Sequence, residues 1–105
     1  MVKNFLVKRG DQLSFTINFT SATQVTAMEF GVKEKYSDDS YLIIKYLGNG
    51  ITQITSTKYQ ITLNSEDTKK LDTKKYVYDL RMKISSVVKT PLSGKLIIQD
   101  TVFED

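Results

Sequence analysis

Five carboxylates, Asp38, Asp39, Asp100, Glu104 and Asp105, could supply oxygen ligands for calcium. Their spacing argues against it, because no loop carries the D-x-[DN]-x-[DN]-G pattern of a calcium hand. Carboxylates in pairs also equip glycosidases, but that chemistry needs a pocket, and short turns between strands rarely build one. Histidine and cysteine are absent from the chain. Without them no Ser-His-Asp or Cys-His relay can be assembled, and the commonest general base and the thiolate nucleophile are both missing. The residues therefore point to a protein that is not an enzyme and uses no cofactor or metal, with the five carboxylates in solvated turns and at the chain end.

Three other patterns have a sharp reading and a plain one. Arg9-Gly10-Asp11 is an integrin-type tripeptide, but it sits between two apolar runs, where glycine and aspartate build a turn. Asn18-Phe19-Thr20 matches a glycosylation acceptor, yet it lies within a strand-like run. Tyr36, Tyr41 and Tyr46, with Phe103, fall near strand ends. They could form a platform for a sugar or a protein surface, although half-buried structural tyrosines are the ordinary outcome.

The elements that would position these residues have a period of two. Leu13, Phe15, Ile17 and Phe19 alternate with polar residues; so do Met28, Phe30 and Val32; Tyr59, Ile61 and Leu63; and Tyr78, Leu80, Met82 and Ile84. Such alternation predicts strands with one face in a core. Phe15, Ile17, Phe30, Ile61, Tyr78, Leu80 and Met82 are the expected core. A first strand is expected at about Lys3–Lys8 and a last one from Lys95 to Phe103. Turns are expected at Arg9-Gly10-Asp11, at Ser37–Ser40, at Gly48-Asn49-Gly50 with Asn-Gly as a two-residue hairpin signal, and around Pro91 ahead of the last strand. Asn64 to Leu71 breaks the pattern and reads as one helical turn, capped by Asn64 or Ser65, with Leu71 under it. The fold class is thus all-β, an antiparallel sandwich of about seven strands with one short helical turn, in a single domain over residues 1–105.

A more specific feature follows the helical turn. In immunoglobulin-type sandwiches a tyrosine near the start of strand F, two positions before a core residue that is often cysteine, bonds back to the corner backbone. Tyr76 takes that tyrosine's place and Tyr78 the core position, with Asp72 ahead of both. A hydrogen bond from Tyr76 to backbone near Asp72 is expected.

Composition sets wider bounds. A chain of 105 residues suits one core. The net charge is +3, from 15 basic and 12 acidic residues, and the lysines are scattered. Lys69-Lys70 and Lys74-Lys75 are the only lysine doublets, so no nucleic-acid face is expected. No apolar run approaches the ~20 residues of a membrane helix, and the start has no secretion-type leader. The expectation is a soluble protein made in the cytoplasm.

Taken in order, Arg9-Gly10-Asp11 leading into Leu13–Ile17, Met28–Lys33, Tyr59–Leu63 followed by Glu66-Asp67-Thr68 and Leu71, Tyr76–Leu80, and Gly94–Ile98 resemble the N-terminal domain of the baseplate upper protein of tailed phages and prophages of Gram-positive bacteria. The resemblance covers about residues 7–103. It implies an immunoglobulin-like sandwich used in virion assembly, made in the bacterial cytoplasm and located in the tail or baseplate, with other phage structural proteins or further copies of itself as partners and no catalytic residues. Terminal strands of a sandwich tend to lie at sheet edges, so Phe5, Leu6, Ile97 and Phe103 are the expected interface, with Lys3, Lys8 and Lys95 limiting unwanted strand pairing. The alternative is a glycan- or ligand-binding sandwich using Tyr36, Tyr41 and Tyr46.

Overall fold

The computed structural model describes residues 1–19, 25–84 and 86–102. Its strands are β1 (Phe5–Lys8), β2 (Leu13–Asn18), β3 (Ala27–Lys33), β4 (Ile43–Leu47), β5 (Gly50–Gln53), β6 (Lys58–Leu63), β7 (Lys75–Ile84) and β8 (Val87–Gln99), with one helical turn α1 (Ser65–Lys69) before β7. They form one eight-stranded sheet in the order β1-β8-β7-β3-β4-β5-β6-β2.

That sheet is folded over into a sandwich. If it lay flat, β1 and β2 would stand roughly 34 Å apart, at about 4.8 Å per strand. Instead the rings of Phe5 on β1 and Phe15 on β2 stack with centroids 4.5 Å apart. The sheet turns over at the shortest ladder, between β4 and β5. A layer of β1, β8, β7, β3 and β4 therefore packs on one of β5, β6 and β2. Phe5 and Phe30 from the larger layer meet Phe15 from the smaller, and Tyr78 packs beside both of them within its own layer. Met28, Val32, Ile61, Leu63, Leu80, Leu96 and Ile98 are fully buried around them.

The alternation places the inner faces of β3, β6 and β7 as the sequence predicts. Phe15 and Ile17 are only half-buried, because β2 is an outermost strand with a neighbour on one side only. The sandwich has eight strands rather than about seven and is not wholly antiparallel. β1 runs parallel to β8, and β4 steps to β5 through a two-pair parallel match. The Asn-Gly hairpin also shifts. Asn49 N–H donates to the Tyr46 carbonyl at 2.7 Å, so the turn centres on Leu47-Gly48, and Gly48 adopts φ +87°.

Pro91 lies inside β8, not in a loop before it. Leu80 pairs with Leu92 but Met82 pairs with Lys89, so β8 carries one extra residue opposite Arg81. A bulge is a place where a strand tolerates proline, whose missing N–H is not needed there.

The Arg9-Gly10-Asp11 turn clamps the helical turn. Arg9 Nε donates to the Leu71 carbonyl at 2.9 Å, Gly10 N–H donates to Thr68 Oγ1 at 3.0 Å, and Thr68 Oγ1 donates to the Asp11 carbonyl at 2.8 Å. Asn64 caps the helix and Asp67 completes a capping box. Asp67 also pairs with Lys45 on β4 at 2.9 Å in a nearly buried setting, and Leu71 is buried.

Tyr76 Oη donates to the Asp72 carbonyl at 3.1 Å, which is the geometry of a tyrosine corner. Tyr78 has a different partner, the Lys3 carbonyl at 2.6 Å. Burial raises the Tyr78 phenol to about 12, above the ordinary value near 10. Because the folded state holds this proton more tightly, its contribution is complete below about pH 10 and is lost as pH climbs towards 12. Stability measured across that alkaline range should fall less steeply in Tyr78→Phe than in the native chain; identical slopes would refute this assignment.

Candidate functional site

The outer face of the five-stranded layer carries Leu6, Ile97, Tyr36, Tyr41 and Tyr46, all singled out from sequence. Residues that alternate with the core point outward there, and the strand register arranges them in rows. Leu6, Ile97 and Lys75 form one row. Lys95, Val77 and Lys33 form the next. Ser93, Asp79, Gly31 and Ile44 follow, then Arg81, Glu29 and Tyr46.

Leu6 and Ile97 are thus neighbours on one surface, Leu6 well exposed at 61% and Ile97 half-buried. Phe5 points the other way. It is 8% exposed and belongs to the core, since in a strand only alternate residues share a face. Phe103 lies outside the described residues. The last strand is not an edge, because β8 is paired with β1 on one side and β7 on the other. Among the described residues the outermost strands are β1 and β2.

A groove of about 170 Å³ is cut into this face. The β3–β4 connection supplies Tyr36 and Tyr41. The strands supply Glu29, Gly31 and Lys33 from β3, Ile44 from β4, Asp79 and Arg81 from β7, and Thr90 from the β8 bulge. Tyr41 lies down on Gly31: a Cβ at that position would come within 2.7 Å of its ring. Lys33 Nζ stands 4.8 Å from the centroid of the Tyr41 ring and donates to the Asp38 carbonyl at 2.8 Å. Arg81 holds Glu29 at 2.8 Å, which raises the guanidinium above its ordinary value. Asp79 is set apart. Crowding by the groove wall pushes its carboxyl up, with Lys33 opposing the shift. Tyr46 is on the same face, beside Glu29, but does not line the groove.

The sequence singles out the tyrosines but not Gly31, Glu29, Asp79 or Arg81. Alternation put these four on a wet face; only the register sets them beside one another. Among the described residues no cluster of three or more carboxylates could hold a metal ion. Asp38 is a turn residue, its carboxylate accepting from Lys35 N–H at 3.2 Å; Glu104 and Asp105 lie outside the described residues.

No protein-family model matches the chain, and no curated protein matches its sequence. Solved structures do share its shape. It is similar to part of the endo-beta-1,4-mannanase from Thermotoga petrophila, with a TM-score of 0.62 and 10% identity over 94% of this chain, which spans 18% of that enzyme. It is also similar to the extracellular domain of the voltage-gated sodium channel beta4 subunit, a protein described as a parallel homodimer with a role in cell-cell adhesion. That match has a TM-score of 0.51 and 14% identity, over 96% of this chain and 93% of the other. At such identities the likeness is one of fold. The chain is an immunoglobulin-like β-sandwich.

Proposed function

We propose that this domain is a phage or prophage structural protein of the tail or baseplate, acting in the virion by docking onto other structural proteins or onto further copies of itself. The supporting observation is the exposed Leu6 on β1, an outermost strand, beside Ile97. An edge strand offers a row of backbone N–H and C=O groups that a partner strand can complete. Apolar side chains beside it add contact area. Phe5 anchors the strand from within, and Lys3 and Lys8 flank it as charges that discourage pairing with wrong partners. The order of motifs, which resembles that of baseplate upper proteins, supports this biological setting. The homodimer described for the sodium channel subunit makes self-association a natural form of the same idea.

Leu6→Lys tests the reading. It removes an exposed apolar group and should change stability by no more than about 0.5 kcal/mol. Particles released after prophage induction should contain the native chain and lose it in the variant, as read by mass spectrometry of purified particles. If the native chain is missing from them, virion assembly is the wrong function.

A further inference from the structure

From the lining of the groove on the outer sheet face, we propose that it is a binding site for a single neutral pyranose unit of a glycan. The case does not depend on the assembly reading. Tyr36 and Tyr41 are 61% and 50% exposed, so ring surface is available to a ligand. A pyranose has one face made of C–H groups, which packs on the electron-rich face of an aromatic ring.

The polar lining selects against charge. An anion entering the groove would meet Asp79 and Glu29, and a cation would meet Lys33 and Arg81. Glu29 and Arg81 already neutralise each other. Hydroxyl groups suit such a mixture, because each donates once and accepts twice. Asp79 would accept from sugar hydroxyls, and Lys33 and Arg81 would donate to them. Gly31 completes the site: any larger residue would push Tyr41 off the sheet. The volume, about 170 Å³, is below the 300–1,000 Å³ of drug-sized pockets and suits one ring rather than a long segment.

The test is an amide NMR titration of the full chain with the methyl pyranosides of glucose, galactose, mannose and N-acetylglucosamine. At least one should give saturable shifts at Gly31, Asp79 and Arg81. Asp79→Asn and Tyr41→Ala should each weaken that binding roughly tenfold or more, while Leu6→Lys should leave it unchanged. If Tyr41→Ala disturbs the spectrum as a whole, Asp79→Asn, an exposed and nearly isosteric change, carries the comparison alone. Saturable groove shifts that Asp79→Asn weakens support the site. Absence of saturable shifts with all four probes, shifts elsewhere, or shifts insensitive to Asp79→Asn overturn it. Loss of sugar binding with normal entry into particles, or the reverse, separates this site from the assembly surface.

Discussion

Gly94→Ala is expected to destabilise the fold by roughly 2–4 kcal/mol, although the change adds one methyl group. Gly94 adopts φ +153°, and a Cβ there would run into the carbonyl of Lys3. That carbonyl is backbone and cannot rotate away like a side chain. It is also fixed, since it accepts from Tyr78 Oη. The least costly response is for the start of the chain to leave β8. It would give up the Lys3 N–H bond to the Ser93 carbonyl, the Tyr78 bond, and the Lys95 N–H bond to Asn4 Oδ1. Each is worth about 0.5–1.5 kcal/mol net, and more if the Tyr78 hydroxyl stays buried without a partner. For a domain of this size the midpoint of thermal unfolding should drop by roughly 10–20 °C. Gly10→Ala is the control. Gly10 also has positive φ, +92°, but a Cβ there meets nothing within 4 Å, so only backbone strain of roughly 1–2 kcal/mol remains. Equal midpoints for the two variants would show that the approach of Lys3 to Gly94 does not matter.

This contact marks the boundary of what the residues alone disclose. Local chemistry was legible: the period-two runs of β3, β6 and β7, the Asn64 cap, the place of Leu71 and the Tyr76 corner all depend on neighbours a few positions away. Partners distant in sequence were not. Phe5 reads as an exposed residue of a terminal strand because nothing nearby says that β1 lies parallel to β8 and opposite β2. Pro91 and Gly94 read as a loop because they usually end strands. Here a bulge accommodates the proline, and the glycine admits a carbonyl from 91 residues earlier. Asp79 and Arg81 look like ordinary solvent-facing residues until the pairing of β7 with β3 sets them beside Gly31 and Glu29. The groove was therefore half visible, through Tyr36 and Tyr41, and half a product of register.

The folded-over sheet makes its own quantitative demand on the aromatic cluster. Phe30, fully buried on β3, lies 5.2 Å from the Tyr78 ring within its own layer and 5.8 Å from Phe15 across the core. Phe30→Ala should cost about 3–5 kcal/mol, the range for emptying a buried aromatic site. Phe15→Ala should cost clearly less, on the order of half as much, because Phe15 is partly open to solvent on an edge strand. The two losses should not add. Removing one ring takes away a face of the other, so a double-mutant cycle is expected to return a coupling of roughly 0.5–1.5 kcal/mol. Phe15 and Phe30 belong to strands four places apart in the sheet order, a separation of roughly 19 Å in a flat sheet. Urea unfolding of the four proteins measures the cycle. Strict additivity would mean that the rings do not touch and that the sheet does not close on itself in this way. A measured coupling, with Phe30→Ala the costlier single change, is what a sandwich made by folding one sheet across β4 and β5 requires.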